Sequence, residues 1–352
     1  MNYYSNLQEL KDYRDNPAIS QSYLKQLFTN NSKPYRETLA MLSGSLLDCM
    51  LTSPDLTSEL YHTGLTKRPS ETVRSILTKT LDFVIGSDSV LDEDIEMFKT
   101  LILEFAVEVN YQPRWSEDAK WNAILKDGLE YWIELVRSKE KIVVTQQEWD
   151  TCEMYSDLTR SSHITGKYFI NQPDVDKYFQ KPLYWTYHEI QLKGLVDLLI
   201  FEWETKKIYL IDIKSSGVSD IKQWFDVCRN KNYPFQMSFY LEGVKHNYNH
   251  LLSDGWTIEC RWIVIPLDKF KPWVVSVSKE MLDAGRYGVK EYSSKFVVNE
   301  KEITNPYNRY GWEHAILLHK YKLENNLLEV DLLYEETGGK LPEQLTNQYY
   351  FI

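Results

Sequence analysis

Residues 194–216 read GLVDLLIFEWETKKIYLIDIKSS, two aliphatic, β-branched runs joined by a polar turn that carries Glu202, Glu204, Lys206 and Lys207. The run lengths and the turn predict two neighbouring strands of one sheet. Asp197, Asp212 and Lys214 interrupt the runs. A charge in an otherwise aliphatic strand is costly to bury unless it is paired or holds a metal, and here three fall within eighteen residues. Asp212 and Lys214 are two apart, so on a strand their side chains share a face. Two carboxylates suit a divalent cation, and an ammonium beside them can orient or deprotonate a water. That is the residue set of metal-dependent phosphodiester hydrolysis.

Four further stretches accompany this one. Gln236-Met237-Ser238-Phe239-Tyr240 has the form Gln-X-X-X-Tyr, and Ser20-Gln21-Ser22-Tyr23-Leu24 the form Ser-X-Ser-X-Leu. LSGSLLDCMLTSPD covers residues 42–55, and RWIVIPLDKFKPWVVSVSKEMLDAG covers 261–285. With Asp197 and Asp212-Ile213-Lys214 they make the chain similar to the PD-(D/E)XK nuclease superfamily, in its RecB/RecE-like, phage-type exonuclease branch. The resemblance spans roughly residues 18–290 and is continuous from about 185. It implies an α/β fold, a restriction-endonuclease-like central mixed sheet flanked by helices, with an enlarged helical N-terminal region. It also implies a Mg²⁺- or Mn²⁺-dependent deoxyribonuclease that degrades DNA from an end and leaves a tail for recombination or replication of a phage-like element. Asp197 and Asp212 would ligate the metal, with the Ile213 carbonyl as a further ligand and Glu189 acting through water. Lys214 would orient the attacking water, and Gln236, Tyr240 and Ser215 would contact DNA. The chain departs from the family at Asp48, which stands where relatives carry a metal-binding histidine. A third carboxylate there favours hard cations.

Composition narrows the partners. The formal net charge is −11, which argues against a protein that coats nucleic acid through its phosphates. A local basic groove and bound metal ions still permit DNA as substrate. The four cysteines, Cys49, Cys152, Cys228 and Cys260, are scattered without a Cys-X-X-Cys pair, so neither a zinc ribbon nor an iron–sulfur cluster is expected. They are most simply reduced, in the cytoplasm of a bacterial host if the chain is phage-encoded. MNYYSNLQELKDYRDN lacks the basic and apolar regions of a signal peptide, and no apolar run approaches the twenty residues of a membrane span. The aromatic fraction, 14%, is read as packing first and base stacking second.

The chain divides by character into a helical region over 1–170, the nuclease core over 171–300 and an extension over 301–352. Ser20 or Ser22 can cap a helix leading into Leu24, Leu27 and Phe28. A second helix is expected from about Tyr35 to Leu51, with Leu39, Leu42, Leu46 and Met50 on one stripe and Asp48 on the face of Met41, Gly44, Ser45 and Thr52. Amphipathic helices are expected over 71–85 and 95–109, whereas 140–170 carries weak signals. The core is expected to begin near Leu183, with Glu189 in its first strand and a turn at Ser215-Ser216-Gly217. Helices should follow at about 219–229, from Pro234 and from Lys279, with a hairpin over 262–277 and a further helix over 312–325. His246 and His250 are four apart, a zinc-ligand spacing on a helix, though surface histidines are the simpler reading. No Gly-X-Ser-X-Gly elbow or P-loop occurs. Two alternatives stay open: an endonuclease or single-strand nuclease of the same superfamily, and a non-catalytic DNA-binding or assembly protein. Further partners would be a single-strand annealing or recombination protein and a second copy of the chain, with residues 341–352 as a contact.

Overall fold

The computed structural model describes residues 7–27, 39–86, 92–138, 141–290, 295–298, 301–304, 308–309 and 311–324. The chain opens with α1 (Leu7–Asp15), β1 (Ile19–Ser20) and α2 (Gln21–Gln26). Next come α3 (Leu39–Thr52), α4 (Pro54–Leu60), β2 (Tyr61–Leu65), α5 (Glu71–Gly86), α6 (Lys99–Glu108), α7 (Glu117–Ser138), β3 (Ile142–Thr145) and α8 (Gln146–Ser161). The sheet region holds β4 (Val175–Tyr187), β5 (Ile190–Glu202), β6 (Lys207–Ser216), α9 (Ile221–Asn230), α10 (Tyr233–Asn247), α11 (Asn249–Ser253), β7 (Thr257–Pro266) and β8 (Trp273–Ser276). It is followed by α12 (Lys279–Tyr287), β9 (Val289–Lys290), β10 (Lys295–Val298), β11 (Lys301–Thr304), β12 (Asn308–Arg309) and α13 (Trp312–Glu324). Leu39–Asp157 forms one compact unit, and the rest of the described chain forms another. The first unit thus ends near 157, and α1 and α2 group with the sheet, whereas the sequence suggests a helical region running on to 170.

In the sheet unit the fold is α/β, a mixed sheet flanked by helices. β4 and β5 pair antiparallel along nearly their whole length, β5 with β6 antiparallel, β6 with β7 parallel, and β7 with β8 antiparallel. β1 joins β5 in parallel through Ile19–Leu192 and Ser20–Lys193. The parallel β6–β7 pair requires a crossover, and α9, α10 and α11 supply it. The hairpin expected over 194–216 is present as β5 and β6, and the one over 262–277 as β7 and β8. β4 starts eight residues earlier than expected, because its first half (VDKYFQKP) mixes charge with apolar residues and hides the alternation.

The helices of the crossover begin where the sequence supplies caps. Asp220 accepts the backbone N–H of Lys222 at 2.7 Å ahead of α9. Pro234 sits in the first turn of α10, just after Asn232 at φ 51°, a left-handed conformation that asparagine tolerates. α10 is apolar on most sides and buries Phe235, Met237, Phe239, Tyr240 and Val244. It comes close to the sheet because two contact positions are glycines. A Cβ on Gly194 would sit 2.9 Å from the Tyr240 ring, and one on Gly243 would sit 2.8 Å from Trp185. Trp185 in turn packs against Phe239 with centroids 4.8 Å apart. Trp224 of α9 lies fully buried against Trp262 of β7, centroids 5.5 Å apart. α1 is fastened by β5: Lys193 Nζ donates to the carbonyls of Tyr13, Arg14 and Asn16 at 2.6–3.0 Å.

The unit over 39–157 has its own core, in which Val73, Ile76, Leu77, Ile102, Ile124, Trp132 and Val143 are buried together. It includes the parallel pair β2–β3. β3 and most of α8 fall where the sequence carries weak signals, since QQEWDTCEMYSDLTRS is polar and its buried residues are few. No helix among the described residues is long and apolar enough to cross a membrane. The proposed contact at 341–352 lies outside the described residues, as does Phe28.

Candidate active site

β5 is held on both edges near Asp197, and both ladders break there. On the β4 side Leu198 pairs with Phe179 and Val196 with Lys181, but the intervening Gln180–Asp197 pair is missing, and Gln180 has a left-handed φ of 47°. On the β6 side the last pair is Leu198–Ile211. One further step would set Asp197 opposite Asp212. Instead the strands part, and Asp197 Oδ2 accepts the backbone N–H of Ile213 at 2.7 Å. β1 then occupies the edge that β6 has left, at Leu192 and Lys193. The site therefore lies in a fork of the sheet, between β1 and β6 along β5. Residues directly opposite in an antiparallel pair share a face, so Asp197, Asp212 and Lys214 project together.

Asp212 is almost wholly buried, with 1% of its side chain exposed, and Lys214 Nζ lies 2.8 Å from its carboxylate. Nζ donates to Oδ1 at 2.8 Å and lies equally close, 2.8 Å, to Oδ2. Burial opposes the charge on Lys214, but Asp212 and then Asp197 outweigh it and hold the ammonium well above its usual pKa. The Lys214 ammonium also stands 5.0 Å from the Tyr233 ring centroid. Gln236 donates to the Tyr240 hydroxyl at 3.2 Å, one helical turn apart on α10. Burial, and then the negative charge of Asp197, push the Tyr240 hydroxyl well above its usual pKa. The charges of Asp197 and Asp212 thus act on Tyr240, to which Gln236 is bonded.

Glu189 is in the turn between β4 and β5 at φ 68°, 86% exposed and paired with Lys320 at 2.7 Å. It is eight residue steps from Asp197 along the strand, roughly 26 Å at the usual rise, so it does not join the cluster. The His188-Glu189 pair takes the left-handed φ values that close a two-residue hairpin, which strand alternation in the sequence does not reveal. Ser215 and Ser216 are the last residues of β6, not a turn, because the parallel pairing with β7 runs on through Ile265 and Pro266. Alternation directs Ser215 to the face opposite Lys214. Asp48 belongs to α3 in the other unit, where its carbonyl accepts the Thr52 hydroxyl at 2.7 Å. His246 and His250 sit on separate helices, α10 and α11, and His246 faces Glu242 at 3.4 Å.

Two residues at the site escape sequence reading, Tyr233 and Lys25. Tyr233 stands at the α9–α10 junction, and its only sequence signal is the proline that follows it. Lys25 is the residue immediately after the Ser-X-Ser-X-Leu segment.

The carboxylate pair fits a hard divalent cation by its chemistry: Asp197 and Asp212 offer oxygen donors on one face, and Asp212 is buried. Among the described residues no group of three or more His, Cys, Asp or Glu side chains gathers, so protein would supply two carboxylates and water the remaining ligands, the usual arrangement for Mg²⁺.

No protein-family model matches the chain, and no curated protein matches it. Among solved structures, the crystal structure of a "Putative exonuclease" from Eubacterium rectale is 12% identical and aligns over 86% of this chain and 94% of that chain, with a TM-score of 0.29.

Proposed function

We propose that the chain is a metal-dependent DNA exonuclease that hydrolyses phosphodiester bonds. The observation that supports this reading is the convergence of Asp197, Asp212 and Lys214 at the fork of β5 and β6, with the buried Asp212 carboxylate held by the Lys214 ammonium. Asp197 and Asp212 would hold Mg²⁺ or Mn²⁺, with the Ile213 carbonyl adjoining. A cation bound there supplies Lewis acidity and lowers the pKa of water from a value far too high for attack at pH 7. Lys214 orients the attacking water and stabilises the charge that develops on the phosphate. Ile213 N–H fixes the Asp197 carboxylate, and Tyr240, bonded to Gln236, would help position DNA beside the two carboxylates. The role this implies is the processing of DNA ends for recombination or replication.

The test is cleavage of linear, nicked and covalently closed circular DNA in Mg²⁺, Mn²⁺ and EDTA. Degradation of the linear form alone, lost in EDTA, is the expected result. Cutting of the closed circle would make the enzyme an endonuclease, and cleavage that persists in EDTA would overturn the metal mechanism.

A further inference from the structure

Lys25 reaches the same turn as Lys214 from a different part of the sheet unit. β1 is pinned to β5 at Leu192 and Lys193, a few residues before Asp197. Ser20 ends β1 and caps α2, accepting the Tyr23 N–H at 3.4 Å. The last turn of that helix delivers Lys25, whose Nζ donates to the Lys231 carbonyl at 3.3 Å and stands 5.6 Å from the Phe235 ring centroid. Lys231 and Phe235 flank Tyr233, and the Tyr233 ring is the one that the Lys214 ammonium approaches at 5.0 Å. Two ammonium groups therefore converge on residues 231–235. Their charges act on each other: burial first, and then the Lys214 charge, lower the Lys25 pKa to about 8, with Asp212 opposing.

An ion pair does not explain this placement. Lys214 takes Asp212. Among the described residues Lys25 has no carboxylate partner, and its hydrogen bond goes to a backbone carbonyl. A half-buried ammonium that feels a second like charge, with no carboxylate of its own, gains when an anion arrives. A phosphate diester offers two non-bridging oxygens and one negative charge, enough to meet two ammoniums.

We infer that Lys25 is a substrate-contacting residue that, together with Lys214, holds the nucleic-acid phosphate at the site. This rests on the nuclease reading above. The cost of keeping Lys25 there is met when substrate binds, so the residue serves binding and not the stability of the free protein.

The experiment compares wild type with Lys25→Ala, Lys25→Arg and Lys25→Met, on DNA with a normal phosphate and with a neutral methylphosphonate at the scissile linkage. Lys25→Ala and Lys25→Met should lose about tenfold or more in kcat/KM on normal DNA, the effect of one charge-assisted hydrogen bond, and Lys25→Arg should recover most of it. On the methylphosphonate substrate, wild type and Lys25→Ala should become alike, because the charge that Lys25 meets is gone. Lys25→Met should melt no lower than wild type. If Lys25→Ala matches wild type on normal DNA, or loses equally on both substrates, Lys25 does not contact the phosphate, while the nuclease reading stands. If wild type cleaves no DNA in either metal, the nuclease reading falls by itself. A thermal shift with inorganic pyrophosphate then decides for Lys25: a shift in wild type that is lost in Lys25→Ala supports it, and equal shifts overturn it.

Discussion

Asp212 and Lys214 hold each other in a place where either alone would be badly off. Asp212→Asn keeps the side chain's shape and removes its charge, so cleavage should vanish and calorimetry should find metal affinity lost. Lys214→Ala should lower the cleavage rate by about 10²–10³ with metal binding retained. It should also destabilise the protein, because Asp212 is left buried without its partner, by roughly 3–5 kcal/mol. Loss of metal affinity in Lys214→Ala with cleavage unchanged would reverse the two roles. Gly194 makes a different kind of test. A methyl group there meets the Tyr240 ring at 2.9–3.0 Å, closer than ordinary contact, so Gly194→Ala should move Tyr240 away from Asp197. The expected cost is about 1–3 kcal/mol in urea unfolding, together with a loss of cleavage. Activity at the wild-type level would separate Tyr240 from the chemistry.

At the scale of elements, two buried charged or titratable groups give checks of their own. Lys193 satisfies three carbonyls around the C-terminal end of α1. Lys193→Met should leave those carbonyls unpaired, speed amide exchange in 7–15 and cost roughly 2–3 kcal/mol. His314 of α13 is buried, and burial holds its pKa below the ordinary 6.5. The unfolded chain therefore takes up the proton first as the pH drops. The His314 contribution is complete above pH 6.5 and is lost on acidification from there down through the lowered folded-state pKa. Melting temperature should fall over this range, and less steeply in His314→Gln. The elements that sequence reveals are those with a strong period or a strong cap. β5 and β6 are apolar and β-branched, α9 has Asp220, and α10 has Pro234. α8 and the first half of β4 are hidden because polar residues interrupt their period, and β3 because its four residues are too few to show one. The fork at Asp197 is hidden for another reason. Register sets which residues oppose one another, and it depends on pairing between strands that no single stretch records. The sequence thus points to the acids and the lysine, whereas the exclusion of Glu189 depends on a two-residue turn and the arrival of Lys25 on the docking of β1.

At the scale of the whole molecule, a net charge of −11 must coexist with a polyanionic substrate under the proposed function. DNA affinity should then fall steeply with salt and rise with divalent cation, as followed by fluorescence anisotropy of a labelled duplex from 50 to 200 mM KCl. Affinity that does not change with salt would argue against phosphate contacts. Each unit has a core of its own, and calorimetry should resolve more than one transition. The pairing of Ile19 with Leu192 also sets a timetable for biosynthesis. The two residues are 173 positions apart (192 − 19), and at about 5–20 residues per second the ribosome takes roughly 9–35 s to travel between them. During that interval β1 and α2 have left the ribosome but have no strand to join. The fork cannot form until β5 and β6 emerge, and Tyr240 follows later still. The last pieces of the site are made long after the first, so a nascent or prematurely terminated chain is expected to be inert toward DNA.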